Sequence, residues 1–197
     1  MVCPHRLSFI LYNPVRKVFT DRRAVLRESG VGADSVILEI GAGNGFFTEI
    51  LAERAKFVYA VELQEGMVKK LIKRLGESGN KVKIIQGDIA DHGPGNEIAD
   101  VGFLYYSFHE IERQEDAAIN IVKAVRANGT LAIYEPTVEV SRQEMDRTVE
   151  RFELLGMIRE ERRDGLFTRF ARLRKAKERR AHAAQLFSGI EGEEAAA

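Results

Sequence analysis

Val36-Ile37-Leu38-Glu39-Ile40-Gly41-Ala42-Gly43-Asn44-Gly45-Phe46-Phe47-Thr48 is the stretch on which the fold turns. Val36 to Ile40 is a short apolar run, as in a strand covered on both faces. Gly41, Gly43 and Gly45 follow at alternate positions. Without a Cβ, such a loop can take positive φ and let a ligand approach the backbone. Phe46 to Ala55 resumes a helical pattern, with Phe47, Ile50, Leu51 and Ala55 near one face. The loop therefore joins the carboxyl end of a strand to a helix N-terminus, where ligands sit in open α/β sheets. The dinucleotide fingerprint is G-x-G-x-x-G, whereas here the third glycine comes one residue early. Glu39 lies two residues before the first glycine. A carboxylate there repels a pyrophosphate and suits a ligand carrying an ammonium or sulfonium charge. A turn that is purely structural is the alternative.

Leu38 to Thr48, L-E-I-G-A-G-N-G-F-F-T, resembles the first motif of the Rossmann-like (class I) S-adenosylmethionine-dependent methyltransferases. The span from His109 to Glu135 resembles the later motifs of the ubiquinone/menaquinone-biosynthesis type, a His-Glu-hydrophobic turn, a helix, a basic-loop-glycine turn and a strand. The resemblance runs over roughly residues 31 to 173. It implies an α/β fold, a seven-stranded mostly parallel sheet with helices on both faces and a C-terminal antiparallel hairpin. It implies S-adenosylmethionine as cofactor and no metal. Glu39, Gly41, Gly43 and Asn44 would then hold the methionine end, with Ala42 and Gly45 completing the loop. Glu62 would hold the ribose hydroxyls with Leu63 beside it. Asp88 and Ile89 would hold the adenine, and Tyr106 belongs to the same set.

The composition agrees with that class. A chain of 197 residues can bury a substantial core. Its 45% apolar and 30% charged content is ordinary for a globular protein, and zero net charge gives no global polyanion-binding signature. Cys3 alone rules out an internal disulfide or a cysteine-rich metal site. The apolar run Leu7 to Tyr12 is too short for a membrane span or signal core, so a cytoplasmic protein is expected.

Along the chain, Pro14 opens an amphipathic helix with Asn13 as cap, ending near Gly30. Residues 1–30 read as a helical cover, 31–175 as the methyltransferase domain and 176–197 as a charged helix with an acidic tail. Phe57 to Glu62 is a second strand; its terminal acid falls about twenty residues beyond the glycine turn, where Rossmann-type sites place a ribose-binding carboxylate. Gln64 to Gly76 is a helix, and Val82 to Asp88 a third strand ending in an acid. Asp100 to Phe108 is the fourth strand and Arg113 to Arg126 a helix closed by a turn at Ala127-Asn128-Gly129. Thr130 to Tyr134 is the fifth strand and Ser141 to Gly156 a helix. Met157 to Arg163 and Leu166 to Leu173 form a hairpin, and a helix runs from Arg174 to Phe187.

If the acceptor needs a base, His109 stands at the mouth of the crevice, and an imidazole accepts a proton near neutral pH. The competing reading is that it caps the following helix. Glu110 and Glu135 are alternative polar groups; Tyr105, Tyr106 and Phe108 are candidates for an acceptor pocket, and Tyr12 and Arg16 for closing it. The fourth strand lacks the Asn/Asp-Pro-Pro-Tyr turn used on exocyclic nucleobase or glutamine nitrogens, and no cysteine follows it for cytosine C5 chemistry. A small or amphipathic acceptor is therefore expected. Two basic regions keep an RNA or protein acceptor open. Residues 1–27 hold six Lys/Arg against one acid, and residues 159–180 hold ten against four. A non-catalytic subunit that binds the cofactor is the third reading. The chain is short for its class, which implies a tiny acceptor, a partner that completes the site, or a homodimer that does.

Overall fold

The computed structural model describes residues 20–177. The helix start expected at Pro14, Tyr12, Arg16 and the helix beyond residue 177 lie outside the described residues. Helix α1 (Arg22–Glu28) is capped by Asp21, whose side chain accepts from the Ala24 N–H at 3.0 Å. Strand β1 (Val36–Ile40) leads through the glycine loop to α2 (Thr48–Arg54). Then come β2 (Phe57–Glu62), α3 (Glu65–Leu75), β3 (Val82–Gln86) and β4 (Ala99–Tyr105). Helix α4 (Gln114–Ala124), β5 (Val125–Pro136), α5 (Arg142–Leu154), β6 (Met157–Asp164) and β7 (Thr168–Lys175) complete the order. A capping box between Ser141 and Glu144 starts α5.

The seven strands form one sheet in the order β3-β2-β1-β4-β5-β7-β6. Neighbours from β3 to β5 pair in parallel, while β7 runs antiparallel to both β5 and β6. Strand order reverses between β1 and β4, which opens a crevice at their carboxyl ends. Because side chains alternate across a strand, the two faces separate residue by residue. Ile37, Phe103 and Ala132 pack with Leu26, Leu51 and Leu71 from α1, α2 and α3. Leu38, Leu104 and Ile133 pack with Ile121 of α4 and Phe152 of α5. Both clusters are apolar and buried, so the middle strands read as continuous hydrophobic runs rather than alternating ones. No helix among the described residues is long and apolar enough to cross a membrane.

Three local expectations are corrected. The turn at Ala127-Asn128-Gly129 is instead a bulge within β5, where the partners of Ala99 and Val101 are Val125 and Thr130. Asn128 takes up the extra length at φ 62°, and a Cβ on Gly129 would stand 2.9 Å from the Asp100 carbonyl. Arg174 and Lys175 belong to β7, not to a helix, because they pair with Thr130 and Met157. Leu166 and Phe167 lie in the hairpin connection rather than in the strand, and both side chains are exposed.

Candidate functional site

The glycine loop is fixed from two sides. Gly41 has φ 73°, and a Cβ there would come within 2.5 Å of Ser107 Cβ. Ser107 in turn donates its hydroxyl to the Ile40 carbonyl at 2.8 Å, tying the loop after β4 to the end of β1. Gly43 donates its N–H to Glu62 Oε2 at 2.8 Å, and Glu62 Oε1 accepts from the Gln64 N–H at the same distance. Gly45 serves packing: a Cβ there would stand 2.7 Å from Leu71 Cδ1 of α3. Asn44 is held by Arg74, whose guanidinium donates to its side-chain oxygen at 3.2 Å.

A cavity of about 160 Å³ opens at the carboxyl ends of β1, β2 and β3. It brings together Gly41, Glu62, Leu63, Asp88 and Ile89, five residues singled out from the sequence, and adds Ser107. Asp88 accepts from the Ala90 N–H at 2.9 Å and pairs with Arg113 at 3.3 Å, a partner that carries no signal in the sequence. Glu39 and Ala42 line a smaller recess beside it with Phe46, Phe47 and Tyr105. Glu39 is 3% exposed and its Oε2 has no hydrogen-bond partner. Burial, reinforced by the Glu62 charge, pushes its carboxyl up to about 8.

A larger cavity of about 580 Å³ lies between α1, the ends of β4 and β5, and the hairpin. Tyr105, Tyr106, Tyr134 and Phe170 line it. Tyr106 therefore faces this cavity and not the smaller one, with its hydroxyl paired to Thr168. Phe108, a candidate for the pocket, is buried against Phe152 instead, with ring centroids 5.2 Å apart. Glu110 lines both cavities.

His109 sits in a carboxylate clamp. Its Nδ1 pairs closely with Glu135, and its Nε2 lies 2.8 Å from Glu139 Oε2. Glu135, 1% exposed, also accepts from the Phe108 N–H at 3.0 Å. Burial alone would lower the imidazole pKa; Glu135, then Glu139 and Glu110, outweigh it and raise it to about 9. At neutral pH the ring thus carries its proton, and both N–H groups are committed. It ties the turn after β4 to the end of β5. Glu135 was legible as a polar group of the crevice. Glu139 was not, because it comes from the loop before α5, thirty residues away.

The arginines of the hairpin are also spoken for. Arg162 pairs with Asp146 and Asp164, Arg163 with Glu28, Arg169 with Asp164, and Arg172 and Arg174 with Glu160. Among the described residues, this part of the second basic region is a charge ladder in which each of these bases has an acidic partner.

Comparison with known proteins places this geometry. Residues 38–133 match the methyltransferase domain family. An uncharacterized methyltransferase of Geobacillus sp. strain WCH70 is 32% identical over 136 residues, which is 68% of this chain. The chain spans 62% of the length of that relative. A ribosomal RNA small subunit methyltransferase of Arabidopsis thaliana is 41% identical over 68 residues, covering 34% of this chain and 19% of the relative. The crystal structure of a SAM-dependent methyltransferase from Aquifex aeolicus superposes with a TM-score of 0.73 at 20% identity, over 83% of this chain and 94% of that one. The glycine loop between β1 and α2 and the strand order agree with these matches: residues 38–133 match a methyltransferase domain, and the fold is that of the Aquifex aeolicus SAM-dependent methyltransferase.

Proposed function

We propose that this protein transfers a methyl group from S-adenosylmethionine to a small or amphipathic acceptor. The observation that carries the reading is that two cavities share Glu110 in their linings, a narrow one lined by strand-end carboxylates and a wide one lined by aromatic rings. The residues present suit the cofactor. The unpartnered Glu39 oxygen beside the glycine loop is a match for an ammonium group. Glu62 and Asp88 keep acceptor capacity toward the narrow cavity for hydroxyl and amino donors, and Ile89 supplies an apolar wall. S-adenosylmethionine, when bound, supplies a methyl group already activated on a sulfonium, so the chain's work is binding, alignment and exclusion of water. With His109 protonated and clamped, we assign it to positioning, and the catalytic base role is not needed from it.

A second reading, an RNA acceptor, draws on the partial likeness to ribosomal RNA methyltransferases. The paired arginines of the hairpin weigh against it, since a phosphate would have to displace carboxylates already in place. Calorimetric titration of S-adenosylmethionine and S-adenosylhomocysteine, with NAD as control, tests the first reading. Micromolar binding of both, absent for NAD and weakened in Glu62→Ala, supports it; no binding of either overturns it. Salt-dependent binding of a structured RNA would favour the second.

A further inference from the structure

The wide cavity has a definite electrostatic character. Among the described residues that line it, the carboxylates are Asp21, Glu28, Glu110 and Glu139, and the cations are His109 and Arg163. Both cations are taken: Arg163 pairs with Glu28, and His109 with Glu139 as well as with Glu135. Pairing them off leaves Asp21 and Glu110. Asp21 accepts from the Ala24 N–H at the start of α1. Glu110 stands outside the His109 clamp although it is the next residue, and it alone of the four lines both cavities.

The rest of the wall is aromatic. Tyr105 stacks on Tyr106 at 4.4 Å and 27° and on Tyr134 at 5.3 Å and 29°. Tyr134 continues to Phe170 at 4.7 Å. The negative faces of such rings attract cations, and their area receives an apolar body. The Tyr134 hydroxyl is committed to Glu28, Ser29 and the Val25 carbonyl. A volume of about 580 Å³ is in the range of small-molecule sites. An anionic acceptor would meet two uncompensated carboxylates and no uncommitted cation among the described lining residues.

We propose that the wide cavity takes an amine-bearing acceptor, an apolar or aromatic body carrying an ammonium group, and that Glu110, shared by the linings of the two cavities, pairs with that ammonium. This rests on the methyl-transfer reading above and names its acceptor class. Desolvation holds the Glu110 carboxyl above its usual range against the His109 charge, and Glu139, Glu135 and Glu62 add to the rise. A carboxylate crowded by other acids gains most from an arriving cation.

The test uses the full chain and three probes of one shape: naphthylmethylamine, naphthylmethanol and naphthoate. Each is titrated by calorimetry at neutral pH, with and without S-adenosylhomocysteine, into the native protein and Glu110→Gln. Glu110→Gln is isosteric, and its melting temperature is measured beside that of the native protein. The expected result is that the amine binds roughly tenfold or more tighter than the alcohol, a difference of about 1.4 kcal/mol. Naphthoate should bind weakest, and Glu110→Gln should remove the advantage of the amine while leaving the alcohol unchanged. Equal binding of the three, preference for naphthoate, no binding of any, or an amine advantage that survives in Glu110→Gln overturns the proposal. S-adenosylhomocysteine binding without amine preference sinks this inference and leaves the methyl-transfer reading standing. Amine preference without S-adenosylhomocysteine binding sinks the acceptor role.

Discussion

The Gly43 N–H and the Glu62 carboxylate lie 2.8 Å apart, and through this bond the end of β2 holds the shape of the loop after β1. One side chain thus sets the floor of the narrow cavity and the path of its glycine wall. Glu62→Ala strips acceptors from two backbone N–H groups, Gly43 and Gln64, and is expected to cost about 1–3 kcal/mol in stability. S-adenosylhomocysteine affinity should fall with it. Glu62→Gln keeps one acceptor oxygen and should lie between the two. Denaturant unfolding and calorimetry on the three proteins measure both effects.

Glu39 sets stability against binding. Its folded pKa of about 8 stands above the ordinary 4.5, so the folded chain holds the proton more tightly than the unfolded chain. Stability from the neutral form is complete below about 4.5 and drains away as pH rises through about 8. Glu39→Gln has no such loss. Its melting temperature should match the native protein in acid, exceed it increasingly up to about pH 8, and keep a constant lead above that. The same variant should bind S-adenosylhomocysteine roughly tenfold or more weakly, since an amide forms no ion pair with an ammonium. Unchanged affinity would remove Glu39 from the cofactor site.

The His109 clamp carries the same sign from a different cause. The folded pKa of about 9 exceeds the ordinary 6.5, so its stabilisation is full below about 6.5 and lost as pH rises through about 9. His109→Gln should be less stable than the native protein at neutral pH, with the gap closing in the alkaline range. A pH series of thermal melts reads this. A gap that widens as pH rises toward 6.5 and then stays constant would mean that the ring is neutral in the fold.

Gly41→Ala places a methyl group 2.5 Å from Ser107 Cβ on a backbone with φ 73°. The overlap and the left-handed conformation should each destabilise, together by about 2–4 kcal/mol. Adding Ser107→Gly removes the overlap and also the bond to the Ile40 carbonyl, so recovery should be partial. A double-mutant cycle in denaturant separates the two contributions. Full additivity would show that the residues do not meet.

Local pattern carried most of the fold. Val36 to Ile40, Phe57 to Glu62 and Val82 to Gln86 are apolar runs with no helical period, and each became a strand near its expected bounds. Legibility ended where a residue's role depends on a partner far along the chain. Asn128 reads as a turn residue, yet pairing with β4 carries β5 through it as a bulge. Gly45 reads as part of a ligand loop, yet Leu71 of α3 fills the space a side chain would need. His109 reads as either a base or a helix cap, and nothing local announces Glu135 and Glu139 at its two nitrogens. The arginines of β6 and β7 read as a basic surface because Glu28 and Asp146 are distant in sequence.

Among the described residues strand β6 forms one margin of the sheet, and Arg159 to Asp164 is an unbroken run of six charged residues along it. A strand at a margin offers its unused N–H and C=O groups to any passing chain. Here a second strand laid alongside would have to strip water from that run and disturb the ion pairs it makes with β7, α5 and α1. The hairpin therefore acts as a guard on its own side of the sheet. Self-association through that margin is disfavoured, and swapping these charges for valine or isoleucine should promote fibres or precipitation.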